Sequence, residues 1–416
     1  MTAQAGGDAT VLSVGGGPEQ VAAIRTARRL GYRVVVADRK PAGPGMRMGD
    51  VAVPADISDA AAVVAVAAEH DVQAVVPAPL GRWLTTVGAV NDALGLRGIS
   101  YDSALACTDK RVFHERCVAA GARRPAQASA TDEDAILAAV AAVGRPCVVK
   151  PTRGAGSNAV VVIEAGEDPV PAVGWHLANR GDRDDTLIEG LVEGTELGVD
   201  GAVVDGRLVI TLIRQKELTP PPFRQQLVST APAPIGPMAT AAVTAELQLV
   251  VTALGLTDCL LNADVMLGSD GTATVLEAAG RPAGASLADM VIPAVTGVPF
   301  LAEGLRLALG EDASFEPRPL AAAVLRFFRL PAGRVVRVGQ PPAAADSEDV
   351  LLFSCPLKPG QEIAPMAAVG DALERGLVIT RGPDAAAARR LGELIEAGLD
   401  VEIETAPIGV TEGVGA

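Results

Sequence analysis

Short apolar runs alternate with helix-like segments through the first hundred residues of the chain. Four valine-containing runs predict strands: Thr10–Val14, Tyr32–Ala37, Val51–Pro54 and Ala74–Pro77. Helices are predicted between them over Glu19–Leu30 and Asp59–His70. Because strands that alternate with helices form parallel sheets with crossover helices, this part predicts an α/β domain. Ligands of such sheets bind beyond the carboxyl ends of the strands.

The pattern changes near residue 108. Two predicted helices, Asp109–Gly121 and Asp132–Val143, precede two predicted strands, Cys147–Lys150 and Ala159–Glu164. The loop between these strands, Pro151–Asn158, consists mostly of small residues. This segment therefore has a mixed α+β character, unlike the alternation before it.

A mostly β stretch follows from Thr186 to about Gly310. Its predicted strands are Thr186–Ile188, Leu197–Val204, Arg207–Arg214, Ala263–Leu267 and Ala273–Glu277. Helices are predicted over Met238–Leu254 and partly over Ala288–Leu309. The last part holds short elements, predicted as strands over Ala321–Phe328, Arg334–Val338 and Val350–Ser354 and as a helix over Ala385–Ala397. The sequence predicts four units: residues 1–107, 108–186, 187–312 and 313–416.

Composition restricts the classes of protein and partner. The 416 residues are 49% hydrophobic and 20% charged, so a large buried core is expected and disorder is not. The net charge of −15 argues against a nucleic-acid partner, although a local cluster of Lys and Arg would suffice for one polyphosphate. Three His leave little material for zinc chemistry.

The expected location is the cytoplasm. Five Cys without a C-x-x-C pair indicate a reducing compartment. Met1–Thr10 has no basic stretch followed by an apolar run, so no export signal is expected. Apolar stretches such as Ala60–Ala68 are far below the ~18 residues of a membrane span, so we expect no membrane association.

A glycine-rich turn, Gly15–Gly17, follows the first predicted strand. With Asp38 at the end of the second strand it suggests a dinucleotide site, in which the acidic residue would bind a ribose hydroxyl. The fingerprint is incomplete, because Gln20 stands where the third glycine is required. An ordinary tight turn is the favoured interpretation, and an oxidoreductase is the alternative.

A lysine followed by a small-residue loop is a stronger candidate for a phosphate site. Lys150 ends a predicted strand, and the loop Pro151–Asn158 can expose main-chain N–H groups to an anion. The lysine precedes the glycines, so this is not the usual P-loop. A hairpin tip without ligand is an equally good interpretation of the loop alone. The segment Leu187–Glu196 carries three carboxylates, one of which could bind a ribose diol, whereas a solvated acidic turn is its simpler interpretation.

Two carboxylates are predicted to face each other on a hairpin. Asp264 and Glu277 lie on strands that the turn Ser269–Gly271 separates. Facing carboxylates repel unless a cation lies between them, and magnesium prefers one or two carboxylates together with phosphate oxygens. Arg281 adds a cation for a phosphoryl group or an acyl product. An ordinary hairpin with outward acids remains the alternative.

Taken in order, these segments resemble ATP-grasp enzymes of the carbamoyl-phosphate-synthetase-like group. The resemblance runs from Val11 to about Gly310 and more loosely to Leu399. Five segments carry it: VLSVGGGPEQ, TDKRVFHERCVAAG, VVKPTRGAGSNAV, IEGLVEGTELGVDG, and NADVML with GTATVLEAAGR. It implies an N-terminal parallel-sheet domain, an ATP-grasp fold with a flexible lid, and a small C-terminal α+β domain.

The resemblance also implies roles for the matching residues. Lys110 and Lys150 would contact ATP phosphates. The lid Arg153–Asn158 would close over the triphosphate, with Gly154, Gly156 and Ser157 as binding residues. The remaining ATP contacts would be Glu189, Leu191 and Val192 at the base, Glu196 at the ribose, and Leu276. Asp264 and Glu277 would bind the metal, Lys216 would lie near the γ-phosphate, and the acyl substrate would meet Arg281, Gly284 and Ser286.

The chain departs from the family pattern at the metal strands. The usual first Glu is Asp264, and the usual Asn two residues after the second Glu is Ala279. The EAAGR segment is similar to that of bacterial L-amino-acid ligases, and the C-terminal part resembles the last domain of that subgroup.

The resemblance therefore implies an ATP-dependent carboxylate–amine ligase that forms an amide or peptide bond through an acylphosphate and releases ADP and phosphate. ATP and Mg²⁺ are the expected cofactors, for which Mn²⁺ can substitute. The substrates would be a small carboxylate and an amine, with amino acids as the expected pair. Other ATP-grasp chemistry on bicarbonate or a nucleotide precursor, and a non-catalytic ATP-binding scaffold, are alternatives. A homodimer is expected from the general prevalence of symmetric oligomers.

Overall fold

A computed structural model describes residues 9–181 and 185–405 of the chain. The expected absence of an export signal rests on residues 1–10, of which residues 1–8 lie outside the described part. The N-terminal part alternates strands and helices in this order: β1 (Thr10–Val14), α1 (Val21–Arg29), β2 (Arg33–Asp38), β3 (Val51–Pro54), α2 (Ala60–Glu69), β4 (Ala74–Val75), α3 (Leu84–Leu94) and α4 (Tyr101–Thr108). Its four strands form a parallel sheet in the order β3-β2-β1-β4, which confirms the predicted parallel α/β domain.

A second sheet lies in the following segment. Its elements are α5 (Lys110–Ala119), β5 (Gln127–Ala130), α6 (Glu133–Val143), β6 (Cys147–Pro151), β7 (Val161–Ile163), α7 (Pro169–Asn179) and β8 (Thr186–Gly190). The strands are antiparallel in the order β5-β8-β6-β7. The β6–β7 hairpin therefore presents residues 152–160 at its tip.

The third segment contributes most of a larger sheet. It contains β9 (Thr195–Val204), β10 (Arg207–Leu218), β11 (Gln226–Ala231), α8 (Pro237–Leu254), β12 (Cys259–Leu267), β13 (Ala273–Ala279), α9 (Ile292–Thr296) and α10 (Phe300–Leu309). A short π-helix, Leu287–Val291, leads directly into α9. By length and composition alone α8 could cross a membrane, but its buried side chains share one apolar cluster with β12 and β13.

The C-terminal segment extends this sheet. Its elements are β14 (Ala322–Phe327), β15 (Gly333–Val338), β16 (Val350–Ser354), β17 (Glu362–Ile363), α11 (Val369–Arg375), β18 (Leu377–Gly382), α12 (Ala385–Ala397) and β19 (Val401–Glu404). The large sheet is antiparallel with the order β13-β12-β9-β10-β11-β14-β18-β16, and a small sheet has the order β17-β15-β19. The large sheet thus continues through the segments on either side of residue 312, and the division into the four predicted units stays a prediction.

Side-chain caps explain where several helices begin. An Asp or Ser just before the first turn accepts a hydrogen bond from a main-chain N–H of that turn, which would otherwise lack a partner. These cap residues are Asp59, Ser100, Asp109, Asp132, Asp168 and Asp384. The cap at Asp109 is also part of the site, because it starts α5 at Lys110.

Candidate active site

The β12–β13 hairpin brings two carboxylates side by side. Asp264 and Glu277 are direct cross-strand partners, so their side chains leave the same face of the sheet. Each side chain is about one-third exposed, and each forms an ion pair with a lysine. The Lys216 Nζ lies 2.6 Å from Asp264 Oδ1, and the Lys110 Nζ lies 3.9 Å from Glu277 Oε2.

The pKa values of the two lysines shift in opposite directions. Burial lowers the pKa of Lys216, but the carboxylates of Asp264 and Glu196 outweigh burial and raise it above the ordinary value. Burial also lowers the pKa of Lys110, and the neighbouring charge of Lys150 adds to this, so the net shift is downward. The nearby carboxylates therefore do not fully offset the burial of Lys110, which suits this position to an anionic ligand.

A buried ion-pair group supports Lys150. The Lys150 Nζ lies 2.6 Å from Glu189 Oε2, and the Arg124 Nη2 lies 3.5 Å from Glu189 Oε1. Burial raises the pKa of Glu189, but Lys150 and Arg124 outweigh it and keep the carboxylate ionised. Arg124 also donates to the main-chain oxygen of Val275 on β13, so it links Glu189 to the hairpin that carries Glu277.

Glu196 holds two cations at the junction between two cavities. Its Oε1 lies 3.2 Å from Lys216 Nζ, and its Oε2 lies 2.9 Å from Arg224 Nη2. Neither Arg224 nor Arg124 is predicted as a site residue from the sequence. Each of these arginines lies after the end of a helix or strand and belongs to no local sequence motif. Their partners are therefore visible only in the folded chain.

The loop between β6 and β7 covers this group of charges. Gly154 O accepts a hydrogen bond of 3.2 Å from Lys110 Nζ, and Ser157 Oγ donates one of 3.3 Å to Arg224 O. Gly156 has φ +72° and Ser157 has φ +59°, so the loop tip adopts the left-handed conformation that glycine accepts most easily. The predicted lid thus lies over Lys110 with its main chain exposed to the site.

Two adjoining cavities collect most of the predicted residues. One of about 150 Å³ is lined by Lys110, Lys150, Gly154, Gly156, Ser157, Glu189, Leu191, Val192, Glu196, Asp264, Leu276 and Glu277. A larger one of about 530 Å³ is lined by Lys216, Arg281 and Gly284 and shares Gly156, Ser157, Glu196, Asp264 and Glu277 with the first. Ser286 lines neither of them, and instead borders a separate cavity beside Glu19.

The donor set fits a magnesium ion that also binds phosphate. Within residues 9–181 and 185–405 no group of three or more His, Cys, Asp or Glu side chains forms a metal site. Asp264 and Glu277 supply the one or two carboxylates that Mg²⁺ takes when phosphate oxygens complete its shell. Ala279 replaces the usual Asn. It pairs in register with Asn262 on β12, so the strand next to Ala279 still provides a side-chain amide at this position.

The N-terminal glycine turn is closed by its own residues. Asp38 Oδ2 accepts a hydrogen bond of 2.8 Å from Gly16 N, and Asp38 Oδ1 accepts one of 2.8 Å from Lys40 N. Gly17 N donates to Gln20 Oε1 over 3.1 Å. Both carboxylate oxygens of Asp38 therefore cap main-chain groups, which supports the tight-turn interpretation over a ribose site.

Two family models match the chain. Residues 143–289 match the model described as ATP-grasp domain, and residues 326–404 match the one described as L-amino acid ligase C-terminal domain 2. Formate-dependent phosphoribosylglycinamide formyltransferase of Burkholderia cenocepacia is 31% identical over 210 residues, which cover 47% of this chain and 51% of that protein. The enzyme of the same name from Stenotrophomonas maltophilia is 30% identical over 171 residues, which cover 40% and 43%. The chain spans about half the length of these curated relatives.

Solved structures share the fold over nearly the whole chain. L-amino acid ligase from Bacillus licheniformis superposes with a TM-score of 0.81 at 19% identity, covering 96% of this chain and 99% of that one. Phosphoribosylglycinamide synthetase from Anaerococcus prevotii gives 0.73 at 16% identity, covering 96% and 100%. The biotin carboxylase domain of Hydrogenobacter thermophilus 2-oxoglutarate carboxylase, solved with MgADP and bicarbonate, gives 0.69 at 17% identity, covering 95% and 90%.

The fold and the matched segments define an ATP-grasp protein, a class whose members use ATP with Mg²⁺. More narrowly, residues 143–289 match the ATP-grasp domain and residues 326–404 match the C-terminal domain of L-amino acid ligases.

Proposed function

We propose that this protein is an ATP-dependent carboxylate–amine ligase that joins two amino acids through an acylphosphate. The observation that carries the proposal is the pairing of Asp264 with Glu277 between Lys110 and Lys216, where the two cavities meet. One cavity suits a nucleotide, and the other leaves room for an acid and an amine. The shared boundary is where a phosphoryl group would pass from one ligand to the other.

The smaller cavity supplies the phosphate contacts. Lys110 and Lys150 would neutralise phosphate oxygens, and the main chain of the lid would cover them. Leu191, Val192 and Leu276 offer apolar contacts for the base, as the resemblance implies. Asp264 and Glu277 would hold Mg²⁺, or Mn²⁺ in its place, and the ion would neutralise negative charge on the phosphates.

The proposed reaction has two chemical steps. A carboxylate oxygen of the acid attacks the γ-phosphorus, and the bond from phosphorus to the ADP oxygen breaks. The amine nitrogen then attacks the acyl carbon, phosphate leaves, and the nitrogen loses a proton. Lys216 and Arg281 would hold the charge of the transferring phosphoryl group and the acylphosphate. Covering the site with the lid excludes water, which would otherwise hydrolyse the acylphosphate.

Amino acids are the proposed substrates because of two similarities. The C-terminal segment matches the L-amino acid ligase domain, and the L-amino acid ligase from Bacillus licheniformis shares the fold over both chains. The homodimer expected from the sequence remains a prediction. A second candidate is activation of a smaller acid, because the two curated relatives described above are named formate-dependent enzymes.

Nucleotide products distinguish these possibilities. The protein would be incubated with ATP and Mg²⁺ plus pooled L-amino acids, formate or bicarbonate, and ADP, AMP, phosphate and coupled products would be measured. Formation of ADP, phosphate and a dipeptide that depends on amino acids is expected. Release of AMP and pyrophosphate would refute the acylphosphate route, and turnover with formate or bicarbonate alone would favour the second candidate. ATP binding with no turnover for any acid would indicate a non-catalytic scaffold.

A further inference from the structure

A buried arginine lies on the floor of the larger cavity. Arg214 on β10 is 1% exposed, and its Nε lies 2.6 Å from Asp200 Oδ2. Its Nη1 donates to Ser229 Oγ over 3.1 Å. Asn262 Nδ2 donates to the other carboxylate oxygen of Asp200 over 3.0 Å, so the acid itself is held from two sides. The guanidinium is therefore fixed in one orientation.

Part of this guanidinium has no partner among the residues that the structure describes. Arginine has five N–H donors, and two of them are used by Asp200 and Ser229. In the described ranges, Nη2 donates to no acceptor, although Arg214 borders the larger cavity. A buried charge with unused donors is costly unless an acceptor satisfies it. An anion in the cavity would supply that acceptor.

The Arg214 guanidinium packs against a glycine on the neighbouring strand. A Cβ added at Gly198 would come within 2.6 Å of Arg214 Nη2, so the guanidinium lies flat over a position without a side chain. Any larger residue at 198 would push the charge away from the sheet. The close approach depends on glycine here.

The register places this donor beside the metal carboxylates. Glu277, Asp264, Gly198 and Arg214 form one cross-strand row over β13, β12, β9 and β10. Arg214 is two strands from Asp264, which is about 10 Å at the usual strand spacing. An anion at Arg214 would therefore lie on the same face of the sheet as a phosphoryl group held over Asp264 and Glu277.

We propose that Arg214 anchors the carboxylate of the acid substrate and so determines where that carboxylate meets the γ-phosphate. This inference rests on the proposed ligase function. Guanidinium binds a carboxylate through parallel hydrogen bonds, which fixes its orientation as well as its position. A carboxylate fits better than a nucleotide phosphate, because Arg214 lines the larger cavity and not the smaller one, where Lys110 and Lys150 lie.

Two kinds of variant test the assignment. The double variant Asp200→Asn/Arg214→Gln removes both charges together and leaves no unpaired buried ion. Gly198→Ala keeps the charges of Arg214 and Asp200 and displaces the guanidinium. The matched control, Asp349→Asn/Arg381→Gln, removes a half-exposed ion pair (3.1 Å) on and beside β18, remote from both cavities.

The measurements are KM for ATP, for the acid and for the amine, using an amino-acid pair that the unaltered protein couples. Calorimetric titration of the same acid into protein loaded with Mg²⁺ and a non-hydrolysable ATP analogue gives a second, activity-independent readout. We expect KM and Kd for the acid to rise at least tenfold in both test variants, with KM for ATP and amine changing less than twofold. The control should change none of them.

Three outcomes would overturn the assignment: unchanged acid KM and Kd in a folded test variant, a rise confined to ATP, or a rise confined to the amine. A rise confined to ATP would make the Arg214 ligand a phosphate. If the double variant does not fold by circular dichroism, Gly198→Ala decides alone. If the unaltered protein turns over no acid, the ligase proposal fails, whereas an active protein with unaltered acid binding in the variants refutes only the role of Arg214.

Discussion

The main-chain N–H of Val369 donates a hydrogen bond of 2.9 Å to the main-chain oxygen of Gly156. Val369 begins α11 in the C-terminal segment, whereas Gly156 is at the tip of the lid. A Cβ added at Gly156 would collide with Val369 Cγ1, so the two segments pack against each other without a gap. The C-terminal segment thus contacts the lid directly.

Gly156→Ala should separate the lid from α11. The new methyl group would collide with Val369, and the left-handed backbone at residue 156 would add roughly 1–2 kcal/mol of strain. We expect KM for ATP to rise about tenfold (~1.4 kcal/mol), with partial recovery in Gly156→Ala/Val369→Ala. Gly360→Ala is the control, because Gly360 also has a positive φ (+85°) but no atom near its Cβ position. An unchanged KM would show that this contact does not position the lid.

Glu277→Gln and Asp264→Asn should abolish turnover without unfolding the protein. Each change keeps the side-chain shape and removes one of the two negative charges proposed for Mg²⁺. ADP formation is expected to fall at least about 100-fold (~2.7 kcal/mol), with a melting temperature close to that of the unaltered protein. Asp349→Asn, at an exposed site, serves as control. Retained turnover in Glu277→Gln would remove this residue from the metal site.

Glu189→Gln should destabilise the protein. It would leave Lys150 and the buried Arg124 without their shared carboxylate, and removing one partner of a buried ion pair costs about 3–5 kcal/mol. Urea unfolding should therefore show a loss of about 3 kcal/mol. The neighbouring exposed residue gives the control, Glu193→Gln, which should change stability by less than about 0.5 kcal/mol. Equal effects of the two changes would contradict the role given to Glu189.

His176 should make stability depend on pH below neutrality. Burial lowers its pKa from the ordinary 6.5, the charge of Arg180 lowers it further, and the hydrogen bond to Ala159 O opposes them. Nδ1 lies 2.7 Å from that oxygen, so it carries the proton in the neutral ring. Because the unfolded chain binds the second proton more readily, this contribution is complete above pH 6.5 and is lost as the pH falls through the lower folded pKa.

Unfolding free energies between pH 5 and 7.5 check this expectation, because one proton gives a slope of at most ~1.4 kcal/mol per pH unit. His176→Gln should flatten the curve, whereas His70→Gln, at the end of α2, should keep it. A curve that is already flat in the unaltered protein would refute the assignment.

The local part of this architecture was predictable from the sequence. Valine runs and side-chain caps specify β1, β2 and α2 by themselves, and the Ser269–Gly271 turn sets the hairpin that pairs Asp264 with Glu277. The strand β11 was not predicted, because Gln226–Ala231 mixes polar and small residues and becomes a strand through its neighbours β10 and β14.

The partners of the charged residues were harder to predict from the sequence. Arg124 and Glu189 are 65 positions apart, and Arg214 and Asn262 both reach Asp200 only after three strands align. Periodicity carries no information about such pairings. The lysines and carboxylates of the site were found because they stand within recognisable segments, whereas these arginines do not.

The continuity of the large sheet limits how this protein can be divided or recombined. Strand β11 hydrogen-bonds to β14 along residues 228–231 and 323–326. A chain ending at residue 312 would leave that side of β11 with unpaired main-chain groups, a surface that promotes aggregation. A C-terminal segment taken from a relative would accordingly need a first strand that pairs with β11 in this register. The C-terminal segment and the large sheet that carries Asp264 and Glu277 would therefore have to be inherited together.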